Sequence, residues 1–206
     1  MKNYCLLSIS LVLLLSVSSC KNTKKSEKQG KETTMYVVNN KTTSVKWTAY
    51  KTSAKLPVKG EFRVVEFTKA TPGASLKEAL NNLEFSIPIS SLFSNNEERD
   101  AKLKTSFFGA MLETVTIKGK LIMETETSGK VELTLNGITQ ELPITYFLDG
   151  QMATMEATMD LDNWQAQTAL STLNAVCKEL HTGPDGITKT WSDVKINIAT
   201  YISVVK

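Results

Sequence analysis

Near the C-terminus apolar and polar positions alternate, with Val194, Ile196, Ile198, Ile202 and Val204 set against Lys195, Asn197, Tyr201 and Ser203. A period of two over this length predicts a long strand with one buried face. The same pattern places Val115, Ile117, Leu121 and Met123 opposite Thr114, Thr116, Lys118 and Lys120, and a third strand carries Val131, Leu133 and Leu135 inward.

Face parity tests the turns between such strands. In an antiparallel hairpin the numbers of paired residues sum to a constant, and apolar residues must share one face. Across Asn136-Gly137 the apolar set passes from odd positions to even ones (Ile138, Leu142, Ile144, Tyr146, Leu148), which requires an even loop. Asn-Gly is the favoured two-residue type I′ turn. Across Asp149-Gly150 the set returns to odd positions (Ala153, Met155, Ala157, Met159, Leu161), and Asp-Gly supplies a second even loop. Before Val131 the set is odd on both sides of Thr127-Ser128-Gly129, so an odd, three-residue loop with a left-handed glycine is expected there. Residues 114 to 161 are therefore a four-stranded meander.

Three further strands are predicted upstream: one with Val45, Trp47 and Ala49, one from Val58 to Phe67, and one with Phe85, Ile87 and Ile89. Pro88 falls on the opposite face of the last and marks a bulge or an edge. The sum is an all-β chain of about eight strands, the number that closes into an antiparallel, lipocalin-like β-barrel around one small ligand; a β-sandwich is the alternative. Two short helices interrupt the pattern. One runs from about Glu97 to Phe108, and the other carries Ala166, Ala169, Leu170, Leu173, Val176, Cys177 and Leu180 on one face until Gly183-Pro184 ends it.

The N-terminus has no such pattern. Lys2 precedes an apolar run from Leu6 to Val17 that is shorter than the roughly 20 residues of a spanning helix, so residues 1–19 read as a signal peptide. Val17-Ser18-Ser19-Cys20 resembles the lipobox of bacterial lipoproteins, which implies cleavage before Cys20, acylation of its thiol and attachment to a membrane through lipid. Residues 20–34 then form a lipidated, basic and flexible tether, with five lysines, two glutamates and nothing able to build a core. With Lys2 and the tether set aside, 18 of the 24 basic and 19 of the 21 acidic residues remain, a formal charge near −1 for residues 35–206. Nucleic acid is thereby disfavoured as a partner. Only Cys177 lies in the folded part, so no disulfide forms within it.

Three segments in order resemble the YceI-like family of exported, lipocalin-like barrels, some of which associate with polyisoprenoid lipids. They are Gly60-Glu61-Phe62, the run Arg99-Asp100-Ala101-Lys102-Leu103-Lys104-Thr105-Ser106-Phe107-Phe108, and Leu133-Thr134-Leu135-Asn136-Gly137-Ile138-Thr139. The resemblance spans roughly 36 to 204. It departs at Lys102, where the family often has histidine, and at Asp160-Leu161-Asp162-Asn163-Trp164, where an aromatic and a glycine are usual. The segment with Cys177 and His181 resembles lipoprotein members.

Besides Cys20, the candidate site residues are ligand-binding ones: Trp47, Phe62, Phe107, Phe108, Met123, Leu133, Ile144, Met155, Met159, Ile196 and Ile198, all expected to face one barrel interior. Arg99-Asp100 at a helix start reads as structural, holding that helix over the barrel mouth. Cys177 and His181, four residues apart, fall short of the three or four ligands of a metal site and lack an orienting acid for nucleophilic chemistry. With one histidine in the chain and no nucleophile elbow or phosphate loop, the sequence argues against an enzyme and calls for no cofactor. The leading expectation is a periplasm-facing envelope protein that carries an apolar ligand such as a polyisoprenoid. The alternative is a non-enzymatic interaction module with a filled core, and a homodimer stays open.

Overall fold

The computed structural model describes residues 34–205, so the signal segment 1–19, Cys20 and all of the tether but Thr34 lie outside the described residues. Ten strands form one antiparallel sheet: β1 (Met35–Lys51), β2 (Leu56–Phe62), β3 (Glu66–Lys69), β4 (Glu84–Pro88), β5 (Leu92–Phe93), β6 (Thr116–Met123), β7 (Ser128–Leu135), β8 (Ile138–Asp149), β9 (Met152–Asp160) and β10 (Asp193–Val205). Their order is β3-β4-β6-β7-β8-β9-β10-β1-β2-β5. The edges are β3 and β5, yet residues 63–65 join β2 to β3 and residues 89–91 join β4 to β5. Two three-residue links cannot bridge a flat sheet of this width. The sheet therefore curls into a half-barrel, and the Arg63 amide donates to the Ser91 carbonyl at 3.0 Å where the links meet.

Ten strands replace the expected eight because the 58–67 segment breaks at Arg63–Val65 and because the two-residue β5 has no periodicity to announce it. Val115 lies before β6 and is exposed, and Val204 runs past the end of the core. Pro88 ends β4, where its missing N–H costs the ladder nothing.

The meander forms as parity requires, with adjustments inside two loops. Leu135 pairs with Ile138 across Asn136-Gly137, and both turn residues have φ near the left-handed values of a type I′ turn (53° and 69°). The next loop is also of two residues, but it is Gly150-Gln151. Asp149 pairs with Met152, and only Gly150 has positive φ, as a type II′ turn demands. Between β6 and β7 the loop is odd as expected, but the Glu124 amide bonds the Ser128 carbonyl at 3.1 Å, which leaves Thr125–Thr127 as the loop. Gly129 is not left-handed. It lies in β7 opposite Met123.

A helix beyond the two expected, α1 (Leu76–Leu80), forms behind a capping pair: Ser75 Oγ accepts from the Glu78 amide at 3.1 Å, and Glu78 Oε2 accepts from the Ala74 amide at 2.8 Å. The expected helix at 97–108 is α2 (Glu97–Lys102), widening into a π-helical turn at Leu103–Phe107 and closing in a 3₁₀ turn at Phe108–Ala110. Asn96 caps α2 by accepting from the Arg99 amide at 2.8 Å. The second expected helix is two pieces, α3 (Gln167–Val176) and α4 (Lys178–His181), broken at Cys177. Ala169, Leu173 and Cys177 are buried, whereas Val176 and Leu180, expected on the same face, are exposed.

Candidate ligand-binding site

Inward residues of all ten strands and three caps enclose a cavity of about 200 Å³. It runs from Leu80 and Leu83, at and just beyond the end of α1, to Leu170 and Leu173 of α3. These caps sit at opposite ends of the half-barrel. Asn81, next to α1, accepts from the Met123 amide at the end of β6, while Asn136, at the turn beyond β7, donates to the Trp164 carbonyl just before α3.

Of the residues singled out in the sequence, Trp47, Phe62, Leu133, Ile144, Met155, Met159, Ile196 and Ile198 all line this cavity. Phe107 and Phe108 line it too, delivered as consecutive residues by the π-helical turn. Their rings meet edge to face at 4.9 Å, and Phe108 meets Phe62 in the same way at 6.4 Å. Met123 does not belong to this group. Although buried and on the inward row, it lies beyond α1, beside a separate surface pocket with Tyr36, Leu76 and Leu148.

Other lining residues were not named as site residues. Phe85 and Val131 were readable by the same parity. Leu80 and Leu83 belong to a cap whose only sequence signal was its Ser-x-x-Glu pattern, and Trp191 lies in an irregular loop with no periodic signal at all.

The wall has almost nothing to offer a polar ligand. Only Thr43, Glu156, Thr190 and Thr200 among the lining residues are polar or charged. The hydroxyls of Thr43 and Thr200 bond each other at 2.6 Å, and Thr43 also donates to the Asn39 carbonyl. The Thr190 hydroxyl donates to Asn174 Oδ1 at 2.9 Å and contacts His181 Nδ1 at 2.7 Å. Because that hydroxyl's one proton goes to Asn174, His181 Nδ1 must be the donor to Thr190, which leaves Nε2 without a proton on a neutral ring. Burial pushes the His181 pKa below its ordinary value, and the positive charges of Lys51 and Lys102 push the same way. Burial likewise raises the Cys177 thiol, against the opposing pull of Lys102 and Lys51. At neutral pH the cap thus holds an uncharged imidazole and an intact thiol, neither arranged for attack. Trp47 Nε1 is a buried donor without a partner among the described residues.

Arg99 and Asp100 tie the helix start to Ser94, the residue that follows β5. Asp100 accepts from the amide and hydroxyl of Ser94, and Arg99 donates to the same hydroxyl at 2.7 Å and to the Ser94 carbonyl at 2.6 Å. They hold the segment that presents Phe107 and Phe108 and do not touch the cavity.

A curled antiparallel wall, helical caps at both ends and an apolar interior define a lipocalin-like fold of the kind that encloses small ligands. A family model described as the YceI-like domain matches residues 36–200, and the chain belongs to that family. Among solved structures it is similar to a polyisoprenoid binding domain from Saccharophagus degradans implicated in plant cell wall breakdown, with 8% identity and a TM-score of 0.60 over 82% of this chain and 98% of that one. It is also similar to BcnA of Burkholderia cenocepacia (12% identity, TM-score 0.49, 81% and 99% covered). A Campylobacter jejuni YCEI protein matches as well, with 18% identity and a TM-score of 0.48 over 72% and 85%. No curated protein matches the chain.

Proposed function

We propose that this protein is a lipoprotein of a bacterial envelope, anchored through Cys20 and facing the periplasm, that takes one apolar chain of the polyisoprenoid class into its half-barrel without catalysing a reaction. The observation that carries the reading is the apolar cavity, whose few polar groups are bonded to each other or to residues outside the lining. Such a wall recognises a ligand by transfer of hydrocarbon out of water and by shape. The polyisoprenoid-binding domain from Saccharophagus degradans, which shares the fold, supports that ligand class.

Size sets a condition on this reading. The cavity of about 200 Å³ exceeds the roughly 150 Å³ of an apolar void that stays dry and accepts benzene. It falls short of the roughly 300 Å³ at which pockets for larger ligands begin. A long chain therefore needs the wall to give. Met155 and Met159, unbranched and deformable, and the edge-packed Phe107 and Phe108 are the groups able to re-pack around it.

Ala157 tests the cavity. It lines the wall opposite Ile196, so Ala157→Phe fills the space a chain would occupy. Delipidated wild type is expected to bind polyprenol and to yield an apolar compound on organic extraction after native purification, while the variant stays folded and loses uptake. A wild type that binds no polyprenol, with a variant destabilised by overpacking at about 1–3 kcal/mol, identifies a filled core and refutes the proposal. Cys20→Ala tests the anchor: the variant should lose acyl mass and leave the membrane fraction. Retention through a high-salt wash, which screens the tether lysines, refutes it.

A further inference from the structure

One end of the sheet carries an apolar patch on its outer face. Tyr146, Ala153 and Ile202 point into the core, so the intervening Phe147, Met152 and Tyr201 point out. Met152 is directly opposite Tyr201 across β9 and β10, and Phe147 is opposite Thr154, one diagonal step from Met152 across β8 and β9. Phe147 is 66% exposed, Tyr201 40% and Met152 39%. Val205 continues the outward row to the end of β10, where Val204 of the inward row is also exposed beyond the core.

The same end is where the chain enters the fold. Met35, the first residue of β1, pairs with Val205, and Tyr36 pairs with Val204. Beside them the β1–β10 register slips between Val38 and Thr43. That bulge is fastened by the Thr42 hydroxyl donating to the Tyr201 carbonyl at 3.1 Å, and it carries the exposed Lys41 next to the patch. An aromatic and aliphatic cluster with a tyrosine hydroxyl and a lysine beside it is the mixture favoured where hydrocarbon meets lipid headgroups. From Cys20 to Met35 is 15 residues, at most about 50 Å of fully extended chain, so an anchor at Cys20 holds this end within that distance of a bilayer. Exposed apolar side chains at the opposite end (Leu56, Leu112, Val115, Val176, Leu180, Ile187) are scattered over a strand start, loops and short helices rather than set together on one sheet face.

We propose that Phe147, Met152 and Tyr201 form a membrane-docking patch that seats the anchored half-barrel on the lipid surface by the end at which its chain enters. The proposal rests on the lipid anchor of the preceding section. Docking of this kind keeps the barrel at the bilayer, so that an apolar chain leaving the membrane crosses little water on its way to the cavity.

Full-length lipoprotein reconstituted into phosphatidylethanolamine–phosphatidylglycerol vesicles tests it. An environment-sensitive fluorophore is placed at Met152→Cys or, at the far end, at Ile187→Cys, both in a Cys177→Ser background. The Met152 label is expected to shift to the blue and to be quenched by brominated lipid, in high salt as in low, while the Ile187 label does neither. Vesicle-bound, acylated protein with an unshifted Met152 label overturns the docking patch and leaves the anchor standing, as does a shift confined to Ile187. A Met152 shift that needs no vesicles and grows with protein concentration assigns the patch to a second copy of the chain and overturns the proposal. Protein that carries no acyl mass on Cys20 and stays off the vesicles refutes the anchor, and with it the membrane as occupant.

Discussion

Gly60 makes room for the Trp47 indole of the cavity wall, and adding one methyl group there measures how much space the cavity has to give. Gly60 is opposite Trp47 in the β1–β2 ladder. A Cβ built on it would lie 2.2 Å from Trp47 Cζ2, 2.6 Å from Cε2 and 2.8 Å from the Phe93 carbonyl oxygen. For Gly60→Ala the indole must retreat by about 1.2 Å to reach the 3.4 Å of ordinary contact, and the short edge strand β5 must also shift. Because Trp47 borders the cavity, the ring has one direction in which to move: inward. Overpacking of this kind costs about 1–3 kcal/mol. Loss of glycine's freedom in the unfolded chain offsets about 0.4–1 kcal/mol of it. The net expectation is a loss between about 0 and 2.6 kcal/mol, centred at about 1.3, which at that centre lowers the melting temperature of a domain of this size by roughly 3–5 °C, together with weaker polyprenol uptake. Thermal unfolding followed by circular dichroism, with binding measured in parallel, checks both. Gly129→Ala is the control. Its Cβ would meet the Ile122 carbonyl at 2.4 Å, a backbone atom with no cavity to yield into, so it should destabilise without changing uptake by the folded fraction. An unchanged melting temperature with undiminished uptake in Gly60→Ala would refute the account of Trp47 as a plate laid over glycine.

Two other groups give independent checks. Asp100→Ala removes the acceptor for the Ser94 amide and hydroxyl, the hydroxyl to which Arg99 also donates; it should cost about 1.5–3 kcal/mol in denaturant melts, and a loss below about half a kcal/mol would show that these bonds do not hold the Phe107–Phe108 segment. His181, whose folded pKa is lowered by burial and then by Lys51 and Lys102, binds a proton more readily when unfolded. Its contribution to stability is therefore complete above the ordinary histidine value of about 6.5 and declines as pH falls through and below it. Wild type should lose stability between pH 7 and pH 5 more steeply than His181→Gln, and parallel profiles for the two would contradict the burial argument.

The alternation of apolar residues in β6 to β10, together with face parity, determined by itself which residues point inward and whether each hairpin loop is odd or even. That information is local, because a strand's side chains have a fixed period and a slip of one residue would turn a whole face to water. The type I′ turn at Asn136-Gly137 was legible for the same reason: few residues tolerate two successive left-handed positions. Where the turn lay within its loop was not. At Asp149 the final residue added a pair to the ladder and moved the turn to Gly150-Gln151, and Gly129 was drawn into β7, because ladder length is decided by what the neighbouring strands can pair with. The seam was equally beyond the sequence: β5 is too short to carry a period, and the gap between β2 and β3 exists because the curled sheet must turn there. A helical period was visible from Ala166 to Leu180, but the break at Cys177 and the exposure of Val176 and Leu180 follow from how α3 meets the barrel end. Parity could place Trp47, Leu133, Met155 and Ile196 on inward faces. Only the curl of the sheet brought them around one cavity, left Met123 outside it behind α1, and set Thr190 where its hydroxyl joins His181 to Asn174, since contacts among residues distant in sequence are fixed by packing and not by local pattern.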